Sequence, residues 1–171
     1  MDKLILNKND FEKLKKENKL PVLDILSDKQ IQPNGLELTL NSVWMFKSAG
    51  KMGENRELPQ FEEVKLNEKN FYKLEKGSYK IKLNETVKIP EDYFAIARPR
   101  SSLLRMGATI STALWDSGYI GKSEALLTVF NEFGIEIERN SRMMQLLFFY
   151  LGEFVEESYS GNYQFENMGG D

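Results

Sequence analysis

Three short runs of the sequence carry side chains suited to chemistry on an anionic ligand. In Arg98-Pro99-Arg100-Ser101-Ser102-Leu103-Leu104-Arg105, three guanidinium groups and two adjacent hydroxyls follow an apolar run. Guanidinium forks match phosphate oxygens, and hydroxyls with turn N–H groups complete an anion cradle. Taken alone, such a run is equally a basic turn with Ser-Ser as a helix cap. In Trp115-Asp116-Ser117-Gly118-Tyr119-Ile120-Gly121, a carboxylate sits among aromatics in a stretch whose two glycines signal a hairpin turn. A carboxylate there could orient a water while an aromatic ring stacks on a sugar, although Asp-Ser-Gly alone is an ordinary turn sequence. Gln145 interrupts Met143-Met144-Gln145-Leu146-Leu147-Phe148-Phe149, which otherwise reads as a core strand. A buried amide must find partners, either a ligand or the backbone. Glu37 lies on the polar face of an alternating strand, where most carboxylates are simply solvated.

What the chain lacks narrows the chemistry. It has no Cys and no His, which removes Ser-His-Asp and Cys-His nucleophiles, imidazole bases, structural zinc and the zinc-water deaminase mechanism. Carboxylates, arginines, lysines, tyrosines, hydroxyls and ligand-borne metal remain, a set suited to water-mediated phosphoryl or nucleotidyl chemistry. No P-loop, dinucleotide glycine fingerprint or Glu-x-x-His metal pair occurs. The 23 basic and 26 acidic residues are interspersed, with net charge −3, so no footprint for a nucleic-acid polymer or an anionic membrane is present. No run has the length of a membrane span, and the first residues lack the apolar core of a signal peptide. The expected location is the cytoplasm.

The elements that must position these groups read mainly as strands. With 41% hydrophobic residues in 171, the chain is sized for a single domain. Asn7, with Asp10 three positions on and a Leu6/Phe11 staple, predicts a capped helix from about Lys8 to Lys19 with Phe11 and Leu14 inward. From Leu36 the period becomes two, predicting a half-buried strand whose register breaks near Asn41 and Ser42 as at a bulge. The stretch from Lys47 to Lys65 has little periodicity and reads mainly as a surface excursion. Short apolar runs then follow at Tyr79–Leu83, Val87–Ile89, Tyr93–Ala97, Ala108–Leu114, Ala125–Phe130, Ile135–Ile137 and Met143–Leu151. Their spacing predicts an all-β (mainly β) barrel or jelly roll with its core at about 31–151. The remainder, about 156–171, reads as a mobile tail.

Taken in order, these pieces resemble the dUTPase and dCTP deaminase superfamily, and most closely the archaeal-type dUTPases. The resemblance rests on Gln32-Pro33-Asn34-Gly35-Leu36-Glu37-Leu38, on Pro99-Arg100-Ser101-Ser102-Leu103, on Trp115 to Gly121, and on Arg142-Met143-Met144-Gln145-Leu146. It implies a distorted jelly-roll subunit in a homotrimer with interfacial sites, hydrolysing dUTP to dUMP and pyrophosphate. Arg100, Ser101, Ser102 and Arg105 would hold the triphosphate with Gln145, and Tyr119 would pack on deoxyribose and crowd out a 2′-hydroxyl. Asp116 would be the general base, and backbone groups near Ile110 to Ala113 would read the base. Tyr159, Tyr163 and Gln164 fall in a tail resembling those that close over nucleotide. Mg2+ would be held mainly by the phosphates, with Glu37, in place of the family's usual Asp, touching it through water at most. The alternatives are a dCTP deaminase, a bifunctional deaminase and dUTPase, or a non-catalytic nucleotide-binding regulator. The deaminase branch carries a catalytic Glu where this sequence has Leu126.

Overall fold

A computed structural model describes residues 4–169; Gly170 and Asp171, the end of the expected tail, and the first three residues lie outside this range. In chain order the elements are helix α1 (Lys8–Lys16) and strands β1 (Val22–Leu23), β2 (Ile31–Gln32), β3 (Gly35–Phe46), β4 (Phe61–Glu63), β5 (Phe71–Leu74), β6 (Gly77–Lys88) and β7 (Tyr93–Pro99). Short helix α2 (Ser101–Arg105) and strands β8 (Ala108–Ser111), β9 (Ile120–Val129), β10 (Ile135–Glu138) and β11 (Arg142–Tyr150) complete it. The main sheet runs β7-β11-β3-β6-β9-β8, with β1 on β6 and β2 and β4 on β3; β5 and β10 pair separately. Its strands pair antiparallel, and the architecture is the mainly β, jelly-roll type that the strand spacing predicts.

Strand β3 joins the two halves of this sheet. Its first part pairs with β11 through Leu36, Glu37, Leu38 and Thr39, and its second part pairs with β6 from Leu40 to Met45. The register shifts between Leu40 and Ser42, where the sequence predicts a bulge. An extra residue bends the strand and lets it leave one sheet for another. Leu36, Leu38 and Leu40 are fully buried, with Ile81, Leu127, Met144, Leu146 and Phe148 around them. Phe11 of α1 is also fully buried and meets Phe148 edge-on at 5.8 Å, which docks the helix on the sheet.

The structure departs from the sequence expectation at four places. Helix α1 has the expected Asn7–Asp10 capping box, but it stops at Lys16 rather than Lys19. Asn18 adopts φ +55°, and the Lys19 N–H returns to the Leu14 carbonyl, a left-handed stop that asparagine tolerates. Strand β3 is buried on both faces rather than one: Glu37 is 3% exposed and Thr39 1%. Gln145 is half-buried on the outward face of β11, because Met144, Leu146 and Phe148 take the inward positions. The excursion after Phe46 returns as strand β4, whose Phe61 packs its ring on Phe46 at 5.4 Å.

Behind β3 lies a fully buried carboxyl, Glu85 of β6. One oxygen accepts from Gln30 Nε2 at 2.7 Å and from the Thr39 hydroxyl at 2.5 Å, and the other accepts the Thr39 N–H at 2.9 Å. No salt bridge to a cation is found for it among the described residues. Burial pushes its pKa above the ordinary 4.5 although the hydrogen bonds from Thr39 and Gln30 pull the other way. An acid whose folded pKa is raised favours the fold fully below its unfolded pKa and loses that contribution as pH rises through the folded value. Relative to Glu85→Gln, the wild type should therefore lose stability as pH climbs from about 4.5 toward that higher value, then level off. Urea unfolding of both proteins across this range measures it; a pH-independent difference would mean that Glu85 titrates alike folded and unfolded.

Candidate active site

Strand β11 lies between β3 and β7, so Gln145 stands opposite Glu37 on one side and Arg98 on the other. Directly opposed residues project to the same face of a sheet. Beside them, Arg100 Nε donates to one Glu37 oxygen at 2.7 Å, and Arg142 Nη1 donates to the other at 2.7 Å and to the Lys29 carbonyl at 2.9 Å. The carboxylate fixes two guanidinium groups and leaves their other N–H groups available to an anion. Helix α2 starts directly after Arg100, with Leu103 buried beneath it and Ser101 and Ser102 exposed. Arg105 turns back to donate to the Ser101 carbonyl at 3.1 Å. Arg100, Ser102 and Arg142 line a groove of about 480 Å³.

The hairpin run holds Asp116 between two anchored neighbours. Trp115 exchanges backbone hydrogen bonds with Ala95 of β7 at 2.9 and 3.1 Å, and the Ser117 hydroxyl donates to the Tyr93 carbonyl at 2.6 Å. Between them the Asp116 carbonyl accepts the Tyr119 N–H at 3.1 Å, closing a turn that Gly118 completes at φ +80°. The Asp116 side chain is exposed and makes no hydrogen bond or ion pair among the described residues. Tyr119 is buried, and that burial pushes its phenol pKa well up, so the ring keeps its proton. Ala113, Asp116, Tyr119, Glu124, Tyr159 and Tyr163 line a second cavity of about 170 Å³.

The tail lies against this hairpin. Gln164 accepts the Ile120 N–H at 2.9 Å and donates to the Gly118 carbonyl at 3.0 Å. The Phe165 N–H reaches the Ile120 carbonyl at 2.7 Å, and the Lys122 N–H reaches the Glu166 carbonyl at 3.0 Å. The Tyr159 ring meets Tyr119 edge-on at 5.7 Å, and the Arg56 guanidinium, from the excursion, lies 5.2 Å from the centre of the Tyr163 ring.

Within one chain, the structure thus forms two groups and leaves them in separate cavities. Arg100 and Ser102 line the groove and Glu37 holds Arg100 there, whereas Ser101, Arg105 and Gln145 are not part of its lining. Ala113, Asp116, Tyr119, Tyr159, Tyr163 and Gln164 gather at the hairpin. Sequence reasoning assigned no role to Arg142, Ser123 or Glu166. Arg142 begins the fourth motif, and that position, a basic residue opening an apolar strand, is the signal that could have marked it. Glu166 reaches a residue 47 positions away and left no such signal. Leu126, which the resemblance matches to the deaminase Glu, stands opposite Ser111 and Lys80 and is half-exposed. Two residues earlier on the same face, Glu124 lines the hairpin cavity and pairs with Lys80 at 3.1 Å.

Such a cradle and hairpin on a mainly β scaffold define a family. The chain matches the sequence model of the dCTP deaminase-like proteins over residues 5–151 and belongs to that family. Within it, the chain is 43% identical over 168 residues to the "Probable deoxyuridine 5′-triphosphate nucleotidohydrolase" of Methanococcoides burtonii, covering 96% of this chain and 99% of that one. The protein of that name from Methanosarcina mazei is 45% identical over 168 residues, covering 95% and 98%. The "Deoxyuridine 5′-triphosphate nucleotidohydrolase" of Methanocaldococcus jannaschii is 38% identical over 145 residues, covering 82% and 91%. Among solved structures, the 2′-deoxycytidine 5′-triphosphate deaminase of Agrobacterium tumefaciens superposes with TM-score 0.66 at 24% identity, covering 85% of this chain and 48% of that one. That likeness is one of fold.

Glu37 is the charge on which the cradle geometry turns. Replacing it by Gln leaves two guanidinium groups, each about a third exposed, with no carboxylate between them. Solvent screens part of the loss, so Glu37→Gln should cost about 1–3 kcal/mol rather than the larger penalty of a dry pair. Urea unfolding with an unaltered m-value measures it, and an unchanged midpoint would show that the arginines hold their places without it.

Proposed function

We propose that this chain is a dUTP diphosphatase in which Asp116 activates a water against the α-phosphorus. The observation that carries this reading is Asp116 itself: an exposed, unpaired carboxylate on backbone anchored at both neighbours, next to a buried tyrosine ring. A general base needs a free lone pair, and this residue has one on a backbone whose place is set. The near full-length archaeal relatives named for dUTP hydrolysis support the same substrate. In the reaction, Asp116 takes a proton from the attacking water, a new bond forms from water oxygen to the α-phosphorus, and the bond to the bridging oxygen breaks to release pyrophosphate. Arg100, Ser101, Ser102, Arg105 and Gln145 hold the phosphates, Tyr119 packs on the deoxyribose, and the backbone near Ala113 reads the base. Tyr159, Tyr163 and Gln164 bring the tail over the hairpin.

Glu37 does not fit a direct metal role, because both its oxygens are bound by arginine. Among the described residues no group of three or more acidic side chains could hold an ion. We assign Mg2+ to the triphosphate oxygens, where it would neutralise charge on the leaving pyrophosphate. We place the enzyme in the cytoplasm; no helix among the described residues is long and apolar enough to cross a membrane.

A second reading, deamination of dCTP, is favoured by one observation, the Glu124 carboxylate at the hairpin cavity. Its pairing with Lys80 at 3.1 Å and its distance of 3.9 Å from Lys82 commit its carboxylate to lysines, which counts against a role as proton shuttle. One panel separates the readings: pyrophosphate and ammonia release from dUTP, dCTP, UTP and dTTP. The expected outcome is pyrophosphate from dUTP, little from UTP, no ammonia from dCTP, and loss of activity with EDTA while the fold persists. Ammonia from dCTP would move the chain to the deaminases.

The separation of the two cavities supports a site shared between subunits of a homotrimer, in which one chain's hairpin faces its neighbour's cradle. A closed ring permits that arrangement. Asp116→Asn keeps the size of the side chain and loses the base, so kcat should fall roughly 10² to 10⁴-fold with nucleotide affinity retained. Refolding Asp116→Asn together with Arg100→Ala should regenerate some intact sites in mixed trimers. Mixed trimers verified by mass spectrometry but inactive would place both elements of each site in one chain.

A further inference from the structure

The tail meets two side chains of the hairpin cavity by hydrogen bonds, Glu124 from Asn167 at 3.4 Å and Tyr119 from Glu166, and the shorter contact uses a residue no motif contains. The Trp115 indole N–H donates to the Ser123 hydroxyl at 2.7 Å, and the Ser123 and Tyr119 hydroxyls lie 3.1 Å apart. The Tyr119 hydroxyl in turn donates to Glu166 Oε1 at 2.7 Å. An indole N–H can only donate, and each hydroxyl has one proton to give. The chain therefore runs one way: Trp115 to Ser123, Ser123 to Tyr119, Tyr119 to the carboxyl of the tail.

Three features show that this contact is built into the fold. Tyr163, Phe165 and Asn167 are exposed while Gln164 and Glu166 are half-buried, in consecutive turns where Phe165 and Asn167 take left-handed φ of +63° and +54°. The backbone bonds from Phe165 to Ile120 and from Lys122 to Glu166 set that arrangement. Finally, a Cβ at Gly121 would lie 2.6 Å from the Tyr119 hydroxyl and 3.1 Å from Glu166 Cγ. Gly121 has no positive φ to justify glycine. The space it leaves is the seat that the phenol and the carboxyl share.

We propose that Glu166 is a positioning residue: by accepting the Tyr119 hydroxyl it latches the tail across the hairpin and fixes the ring that faces the sugar. Tail closure then gains a side-chain tie beside the Gln164, Phe165, Lys122 and Asn167 bonds, and rejection of the ribonucleotide draws on the same tie. The second half of this statement rests on the role of Tyr119 in the proposed function; the first half does not. Glu166 touches no reacting atom in this scheme and acts through the tyrosine.

The test uses the full-length protein and the variants Glu166→Ala, Glu166→Gln, Tyr119→Phe and the Glu166→Ala/Tyr119→Phe double variant. In the nucleotide-free protein, hydrogen exchange at the Lys122 and Phe165 amides should quicken by roughly tenfold or more in Glu166→Ala. It should stay near wild type in Glu166→Gln, which keeps an acceptor oxygen. With nucleotide, the ratio of kcat/KM for dUTP over UTP should fall roughly tenfold in Glu166→Ala and in Tyr119→Phe, with no further fall in the double variant. Glu166→Gln should restore most of the ratio. Wild-type exchange in Glu166→Ala overturns the latch, and faster exchange with an unchanged ratio overturns the positioning role. If the wild type releases no pyrophosphate from dUTP, the functional reading fails, and the exchange experiment alone decides the latch.

Discussion

A strand buried on both faces has no solvated side on which to place a charge. The first half of β3 is such a strand, and it carries Glu37 at its third residue. A carboxylate so placed must be matched by cations or it would be expelled or neutralised. Arg100, at the end of β7, and Arg142, at the start of β11, supply the match, and each is delivered by a strand of the β3 sheet. The order β7-β11-β3 is therefore the condition for the cradle as well as a feature of topology. The polar interior of β3 continues two residues on, where Thr39 engages Glu85 of β6, so the strand is held by arginines at Glu37 and by an acid at Thr39.

The hairpin is built on a different principle. Where the cradle is fixed by charge, Asp116 is fixed by its neighbours, the indole of Trp115 and the hydroxyl of Ser117 being tied inward so that the residue between them faces out. The carboxylate carries no structural duty and is free for chemistry. Its two glycines have separate duties. Gly118 supplies a left-handed turn residue, and Gly121 supplies room for a phenol and a carboxyl to meet.

Local chemistry was legible in the sequence, and long-range pairing was not. The break in alternation at Asn41 and Ser42 marked the β3 bulge, and the Asn7–Asp10 spacing marked the start of α1. The end of that helix depended on a backbone torsion at Asn18, which composition does not encode. Gln145 read as buried because Leu147 and Phe149 are apolar on the outward face too, which hid the period of two in β11. Glu37 read as an ordinary strand carboxylate because its partners come from distant strands. Strand β4 is too short for a pattern, and its stability comes from Phe46 and from Lys80, whose ammonium lies 4.0 Å from the centre of the Phe61 ring.

The buried carboxyl of Glu85 takes on a second meaning in a chain without histidine or cysteine. Those two residue types carry most of the proton traffic of ordinary proteins near neutrality. Here the side chains displaced toward that range are the carboxyls of Glu85 and Glu166. With those two types absent, the carboxyls whose burial favours the protonated form are the side chains through which folding of the sheet and release of the tail are linked to protons.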